Sequence, residues 1–188
     1  MQSGDLQGVR VAILVHDEFE QSEMTEPRKA LEQAGATVTL ISPTKGQVHG
    51  VNHATKADSF KVDLSLDQAR PDQFDAVMLP GGALNADKLR MDEKAREFVR
   101  QFDREGRPIA AICHAPWLLV SAGLLKGRRL TSYYTIQDDI RNAGGQWSDK
   151  EVIKDGNLVT SRQPSDIPAF NREMIQLFSE GARKRRAA

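Results

Sequence analysis

Residues 108–113 read Pro-Ile-Ala-Ala-Ile-Cys, and His-Ala-Pro-Trp-Leu-Leu-Val-Ser-Ala-Gly follows over 114–123. The first run is short, dense in apolar residues and poorly alternating, the pattern of a strand covered on both faces. The second carries a proline in its first turn and a glycine near its end, as a helix does. A buried strand that turns straight into a helix is the building unit of a parallel α/β sheet. Cys113, the one cysteine of the chain, stands at the corner.

Three more runs repeat the strand pattern: VRVAILV (9–15), TVTLI (37–41) and DAVMLP (75–80). Segments with helical spacing lie between them. Over 92–106, Ala95, Phe98, Val99 and Phe102 recur at three and four residues, with Asp92 placed as an N-cap and Gly106 as a stop. Over 25–35, Thr25 precedes Pro27 in the expected first turn, Leu31 and Ala34 share a face, and Gly35 ends it. Strand, helix and strand in alternation predict a mostly parallel sheet with right-handed crossovers and helices on both faces. GQVHGVN and SFKVDL, between 46 and 64, alternate instead and predict small antiparallel strands beside that sheet. VIKDGNLVTSR (152–162) reads as a hairpin about Asp155-Gly156, and Asp166 is expected to cap a last helix bearing Phe170, Met174, Leu177 and Phe178.

With 188 residues, 39% of them hydrophobic, the chain is expected to form one domain over 1–188, with 1–8 and 182–188 as flexible tails. Its 26 basic and 26 acidic residues cancel, so no overall field recruits nucleic acid or an anionic membrane. MQSGDLQG (1–8) has neither the basic nor the apolar part of a secretory signal, and no run approaches the roughly 18 apolar residues of a spanning helix. A lone cysteine forms no intrachain disulfide, which suits a reducing compartment. A cytoplasmic protein with a small-molecule or protein partner is the expectation.

The strand-to-helix corner gives the thiol its chemistry. Such an elbow pushes one side chain above the carboxyl edge of the sheet, where open α/β sheets bind ligands. Main-chain N–H groups at the helix start favour the thiolate, so a lowered thiol pKa is expected, against the plainer use of cysteine as core filling. LPGG (79–82) ends another core strand, and glycines there expose N–H groups on the same edge. The Gly82 and His114 N–H groups are the expected oxyanion donors beside Gly81. HDEFEQSE (16–23), after the first strand, packs four acids into eight residues. One carboxyl folded inward there would be desolvated, with a raised pKa, and could hold or relay a proton.

EFE after the first strand, LPGG after a later one and AICHAP at the elbow together resemble the PfpI family of intracellular proteases, general stress proteins and protein deglycases, within the superfamily of the Parkinson-disease protein. The resemblance continues through LLVSAGLLKGRRLTSY, DDIRNAGGQW and GNLVTSRQPSDIPAF, covering about residues 10–180. It implies a flavodoxin-like three-layer sandwich of the class I glutamine amidotransferase type. It also implies a functional Cys113, Glu20 (the second acid of EFE) hydrogen-bonded to its sulfur, His114 beside it, Tyr133 near the pocket, and a homodimer or larger assembly. In protease-like members an acid after LPGG reaches the histidine from a neighbouring subunit, and Asp87 is the nearest match here. Ala115 stands where the family usually has glycine; this and the shorter Asp87 side chain weaken the case for a peptidase triad.

None of the four histidines, at 16, 49, 53 and 114, lies beyond the elbow region, so an amidotransferase triad of the usual order is excluded. His49 and His53, four apart, would suit a metal on a helix, but their segment reads as strand and turn, so no metal site is expected. The leading expectation is a cofactor-independent enzyme of glyoxalase or deglycase type in which Cys113 adds to reactive carbonyls, free or on glycated protein. The alternatives are a peptidase using Cys113 and His114, discounted because neighbouring side chains at an elbow point apart, and a non-enzymatic oxidation-sensing or chaperone stress protein.

Overall fold

The computed structural model describes residues 6–187. The strands are β1 (Arg10–Leu14), β2 (Phe19–Glu20), β3 (Thr37–Ser42), β4 (Gln47–Asn52), β5 (Thr55–Lys61), β6 (Leu64–Ser65), β7 (Ala76–Leu79), β8 (Ile109–Ile112), β9 (Arg129–Leu130), β10 (Gln146–Trp147), β11 (Val152–Asp155) and β12 (Leu158–Ser161). The helices are α1 (Gln21–Gln33), α2 (Ala83–Met91), α3 (Glu93–Arg104), α4 (Pro116–Ser121), α5 (Gln137–Asn142) and α6 (Ile167–Ala187). Seven strands form the main sheet in the order β11-β12-β8-β7-β1-β3-β6, all parallel except β11, which pairs antiparallel with β12.

Alternation along the central strands sorts their side chains into two cores. Val11 and Ile13 of β1, Met78 of β7 and Ile112 of β8 pack with Met24 and Leu31 of α1 and Phe170 and Met174 of α6. Ala12 and Leu14, Val77 and Leu79, and Ile109 and Ala111 face the other way, onto Phe98 and Phe102 of α3 and Leu118 of α4. Both faces of the strands are therefore apolar, which is why their sequences barely alternate. Each fully buried phenylalanine, such as Phe102 or Phe170, contributes about 1.5–3 kcal/mol. The result is a three-layer α/β sandwich of the flavodoxin-like kind. Among the described residues no helix is long and apolar enough to cross a membrane.

Most expected elements form where the patterns place them. Asp92 accepts from the Lys94 and Ala95 N–H groups at the start of α3, and β4 and β5 are antiparallel, in a small sheet with β2. Three expectations need correction. Helix α1 begins at Gln21, ahead of Thr25, so Pro27 lies inside it; Thr25 is no N-cap, and its hydroxyl bonds back to the Gln21 carbonyl at 3.0 Å. Leu64–Ser65 leaves the antiparallel pair and joins the main sheet beside β3. The expected tails are structured where described: Leu6 is buried and its N–H bonds to the Ala34 carbonyl, while α6 runs to Ala187 and places Arg185 Nη1 2.7 Å from Asp75 Oδ1. That partly exposed ion pair is worth at most about 1 kcal/mol, so the helix rests mainly on its apolar face.

Chain order reverses at β1, from which the chain first moves out to β3 and β6 and then returns to β7 and β8 on the other side. The crevice above the carboxyl ends of β1, β7 and β8 is the switch point where such sheets bind ligands.

Candidate active site

Three adjacent strands deliver the site. Cys113 follows β8 and takes φ +62°, a left-handed conformation that non-glycine residues adopt at an energetic cost. Its N–H is held by the Ser161 carbonyl at 3.0 Å, and its own carbonyl accepts the Tyr133 N–H at 2.9 Å. Pinned on both sides, the corner holds a thiol that is 6% exposed. The N–H groups of Gly82 and His114 lie near enough to the sulfur to favour its thiolate, on the side where oxyanion donors are expected.

The turn after β7 approaches so closely that side chains are excluded. A Cβ on Gly81 would lie 2.3 Å from Glu23 Oε2 and 2.6 Å from Cys113 Cβ. Gly82 has φ +93°, and a Cβ there would lie 2.7 Å from the Glu20 nitrogen. Asn85, fully buried in the first turn of α2, ties this turn to the end of β1: its amide donates to the Pro80 and Gly81 carbonyls at 3.0 and 2.9 Å and its oxygen accepts the His16 N–H at 2.6 Å. The sequence reading missed Asn85; its one signal was a polar residue three positions beyond a glycine pair.

The acid beside the sulfur is Glu23, and the assignment of Glu20 is corrected. Glu23 sits in the first turn of α1, one turn past β2, and is fully buried. Its Oε2 accepts the Gly81 N–H at 3.0 Å, its Oε1 is buried without a hydrogen-bond partner among the described residues, and the Cys113 thiol is close enough to influence its titration. Glu20 ends the extended pair β2, which turns its carboxylate toward the β4–β5 hairpin, where Oε2 accepts the His53 N–H at 2.9 Å.

Burial raises the Glu23 carboxyl from 4.5 to about 8, with the Glu20 charge pushing the same way. Burial also pushes the Cys113 thiol well up, aided by the Glu23 charge and opposed by the Gly82 and His114 N–H groups. The expectation of a simply depressed thiol pKa is thus corrected: donors reach the sulfur, but it is desolvated beside a carboxyl, and the two titrate as a pair. The nearby imidazole is a second base. His114 Nδ1 lies 3.2 Å from Cys113 Sγ, and its Nε2 lies 3.4 Å from Thr135 Oγ1. The left-handed corner makes consecutive side chains converge, which corrects the expectation that they point apart. Burial holds His114 below the usual imidazole range, so the ring is neutral at pH 7. Tyr133 stacks on it with ring centres 4.8 Å apart.

These groups open on a cavity of about 500 Å³ lined by Glu20, Glu23, Cys113, His114, Tyr133 and Gly82, with His53–Ala54 and Gln163–Ser165 at its rim. Asp87 is exposed on α2. His49 lies in β4, its Nδ1 3.1 Å from Asp17 Oδ1, and His53 lies at the hairpin tip. Among the described residues no three His, Cys, Asp or Glu side chains gather as a metal site.

The family model of the DJ-1/PfpI family matches residues 9–177. A protein of Pyrococcus furiosus named deglycase PfpI is 44% identical over 170 residues, which span 90% of this chain and 99% of that protein. A Bacillus subtilis protein named putative cysteine protease YraA is 40% identical over 169 residues, 90% of this chain and 98% of that one. The crystal structure of Drosophila melanogaster DJ-1beta superposes with a TM-score of 0.81 at 28% identity, covering 94% of this chain and 96% of the other. With its elbow cysteine on a sheet of this topology, the chain belongs to the DJ-1/PfpI family.

Proposed function

We propose that this chain is a cysteine-dependent deglycase that hydrolyses α-oxoaldehydes, free or bound as early adducts on amines and thiols. The observation that carries the reading is the closeness of Cys113 to two groups that exchange protons near neutral pH, the Glu23 carboxyl, raised to about 8, and the neutral His114 ring, at the floor of one cavity. An early adduct releases its amine or thiol to give back the oxoaldehyde. Sulfur then bonds to the aldehyde carbon while the neutral His114 ring takes the thiol proton and the protonated Glu23 carboxyl gives its proton to the carbonyl oxygen, completing a hemithioacetal and leaving Glu23 as a carboxylate. The Gly82 and His114 N–H groups stabilise the oxyanion on the way. Glu23 next removes the proton on the sulfur-bearing carbon and returns one to the neighbouring carbonyl carbon. The first carbon is thereby oxidised to a thioester and the second reduced to an alcohol, with no outside oxidant. Water cleaves the thioester to a 2-hydroxy acid and restores the thiol, so the sum is addition of one water.

A second reading, cysteine peptidase, is favoured by the 3.2 Å contact between Cys113 Sγ and His114 Nδ1 and by the name of the Bacillus relative. One panel separates the two: wild type and Cys113→Ser on methylglyoxal, glycated amino acids and unmodified peptides. Hydroxy acid from the first two substrates, lost in the variant, supports the deglycase. Cleavage of peptides alone would install the peptidase. One-time consumption of peroxide with no turnover of any substrate would replace both with an oxidation sensor.

A further inference from the structure

One wall of the Cys113 cavity comes from outside the main sheet. The tip of the β4–β5 hairpin places His53 and Ala54 in the cavity lining, together with Gln163–Ser165. Residues 52–56 are all exposed, so the tip has little packing of its own to hold it. The hairpin meets the rest of the fold through the short stretch 17–21 and through Val48, buried in the core, and its cross-strand neighbour Phe60, packed against that core, both away from the tip. Strand β2 pairs Phe19 with Gly50 and Glu20 with Val51. Asp17 Oδ1 accepts the His49 N–H at 2.6 Å, and the Gln21 amide exchanges two bonds of 2.8 Å with Asp58. These contacts hold the base and the far strand.

At the tip itself the contact is Glu20. This carboxylate is 7% exposed, accepts the His53 N–H at 2.9 Å and lies 3.9 Å from the His53 ring. His53 has φ +58°, a left-handed conformation that a non-glycine residue adopts at an energetic cost. A charge-assisted hydrogen bond to a carboxylate is among the stronger kinds and offsets that cost.

We infer that Glu20 is a positioning residue: through the His53 main-chain N–H it fixes the hairpin tip as the outer wall of the cavity, and that wall sets the size of the molecule that reaches the Cys113 sulfur. The inference rests on the reading of this cavity as the reaction site, deepening it from which chemistry occurs to which substrates enter.

The test uses the single cysteine, whose alkylation reports access without requiring turnover. Rates are measured with iodoacetamide and with a bulky fluorophore maleimide, and their ratio is compared among variants that retain a cooperative thermal transition. Glu20→Ala removes the acceptor and is expected to raise the bulky-to-small ratio about fivefold or more, with faster exchange of the His53–Ala57 amides. Glu20→Gln retains an oxygen for the same N–H and should stay within about twofold of wild type. Ala54→Trp leaves the latch in place and thickens the wall, so it should slow the bulky reagent severalfold and iodoacetamide less than about twofold. If Glu20→Ala fails to fold, Glu20→Asp, one carbon too short to reach the His53 N–H, takes its place and is expected to raise the ratio in the same direction. An unchanged ratio in Glu20→Ala, equal behaviour of Glu20→Gln and Glu20→Ala, or no size discrimination in Ala54→Trp would overturn the inference. Absence of carbonyl turnover by wild type would instead overturn the proposed function and leave the wall standing.

Discussion

The Glu23 carboxyl and the Cys113 thiol meet across a corner that only glycine fits, because a Cβ on Gly81 would strike both. Around that contact the acid-rich stretch divides its labour. Asp17 holds His49, Glu18 Oε2 pairs with Lys88 Nζ at 2.5 Å, Glu20 holds His53, and Glu23 alone turns inward to the sulfur. A run of acids that resembles a solvated surface loop is thus a set of four anchors between strand, hairpin and helix.

If Glu23 carries protons during the reaction, Glu23→Gln should keep the fold and lower kcat by about 100-fold or more, the usual size of a lost acid–base catalyst. Glu20→Gln should lower it far less. Steady-state turnover of methylglyoxal by the two variants decides between the carboxyls, and an equal loss would return Glu20 to the chemistry.

Gly81→Ala probes the geometry without changing charge. Relieving Cβ distances of 2.3 and 2.6 Å requires the turn, Glu23 or the elbow to move, which costs about 1–3 kcal/mol in a packed interior. We expect a folded chain with a lowered Tm and no measurable turnover. Wild-type activity in Gly81→Ala would show that the turn relaxes without disturbing the pair.

The fold was legible because both faces of β1, β7 and β8 are buried: runs such as VAIL and IAAI announce a central parallel strand, and the elbow follows once a helix start abuts one of them. Choosing among the acids was harder. Their roles depend on where β2 stops and α1 starts, and Thr25 with Pro27 points to a start near Thr25, four residues past the actual start at Gln21. With α1 begun at Gln21, Glu23 falls in its first turn and faces the sheet edge, whereas Glu20 remains extended and faces the hairpin. The thiol pKa failed for a different reason: helix-start donors are visible in sequence, but desolvation and a neighbouring buried carboxyl are properties of packing. Asn85 was hidden likewise, since its three partners come from residues 16, 80 and 81.

Asn85→Ala leaves one buried N–H and weakens two carbonyl interactions, for a loss of about 2–4 kcal/mol and a fall in Tm of roughly 5–12 °C. Asn85→Asp should not rescue it, because a carboxylate accepts from His16 but cannot donate to Pro80 and Gly81. Calorimetry of both variants checks this, and a Tm within 2 °C or so of wild type would deny Asn85 its anchoring role.

The pH dependence follows from the raised Glu23 pKa. Between 4.5, its ordinary value, and about 8, the folded chain retains a proton that the unfolded chain releases. The stability associated with the neutral acid is complete below 4.5 and is lost as pH rises through 8. Glu23→Gln cannot ionise, so its Tm should gain on wild type steadily from pH 5 to 8; a constant difference would mean that Glu23 titrates normally. Removing the same charge should also lower the apparent pKa of Cys113, because a carboxylate beside the sulfur disfavours the thiolate. Alkylation rate against pH reads that shift, and an upward shift in Glu23→Gln would contradict the sign.

Association decides whether peptidase geometry is available. A chain of zero formal net charge has no strong repulsion to oppose symmetric contact, and we expect a homodimer at micromolar concentration. Among the described residues His114 Nε2 has only the long 3.4 Å contact to Thr135 Oγ1, so an acid arriving from a second copy would orient and charge the ring, the third member that a cysteine–histidine pair needs. Exposed Asp87 is the residue expected to arrive. If it does, Asp87→Asn should reduce peptide hydrolysis about 10-fold or more while altering methylglyoxal turnover less than about twofold, because the carbonyl reaction proposed above uses Glu23 rather than Asp87. Light scattering and paired assays test both halves together. A monomer that still cleaves peptides would defeat the claim that a second subunit completes the site, and equal losses on both substrates would place Asp87 in the packing of α2 instead.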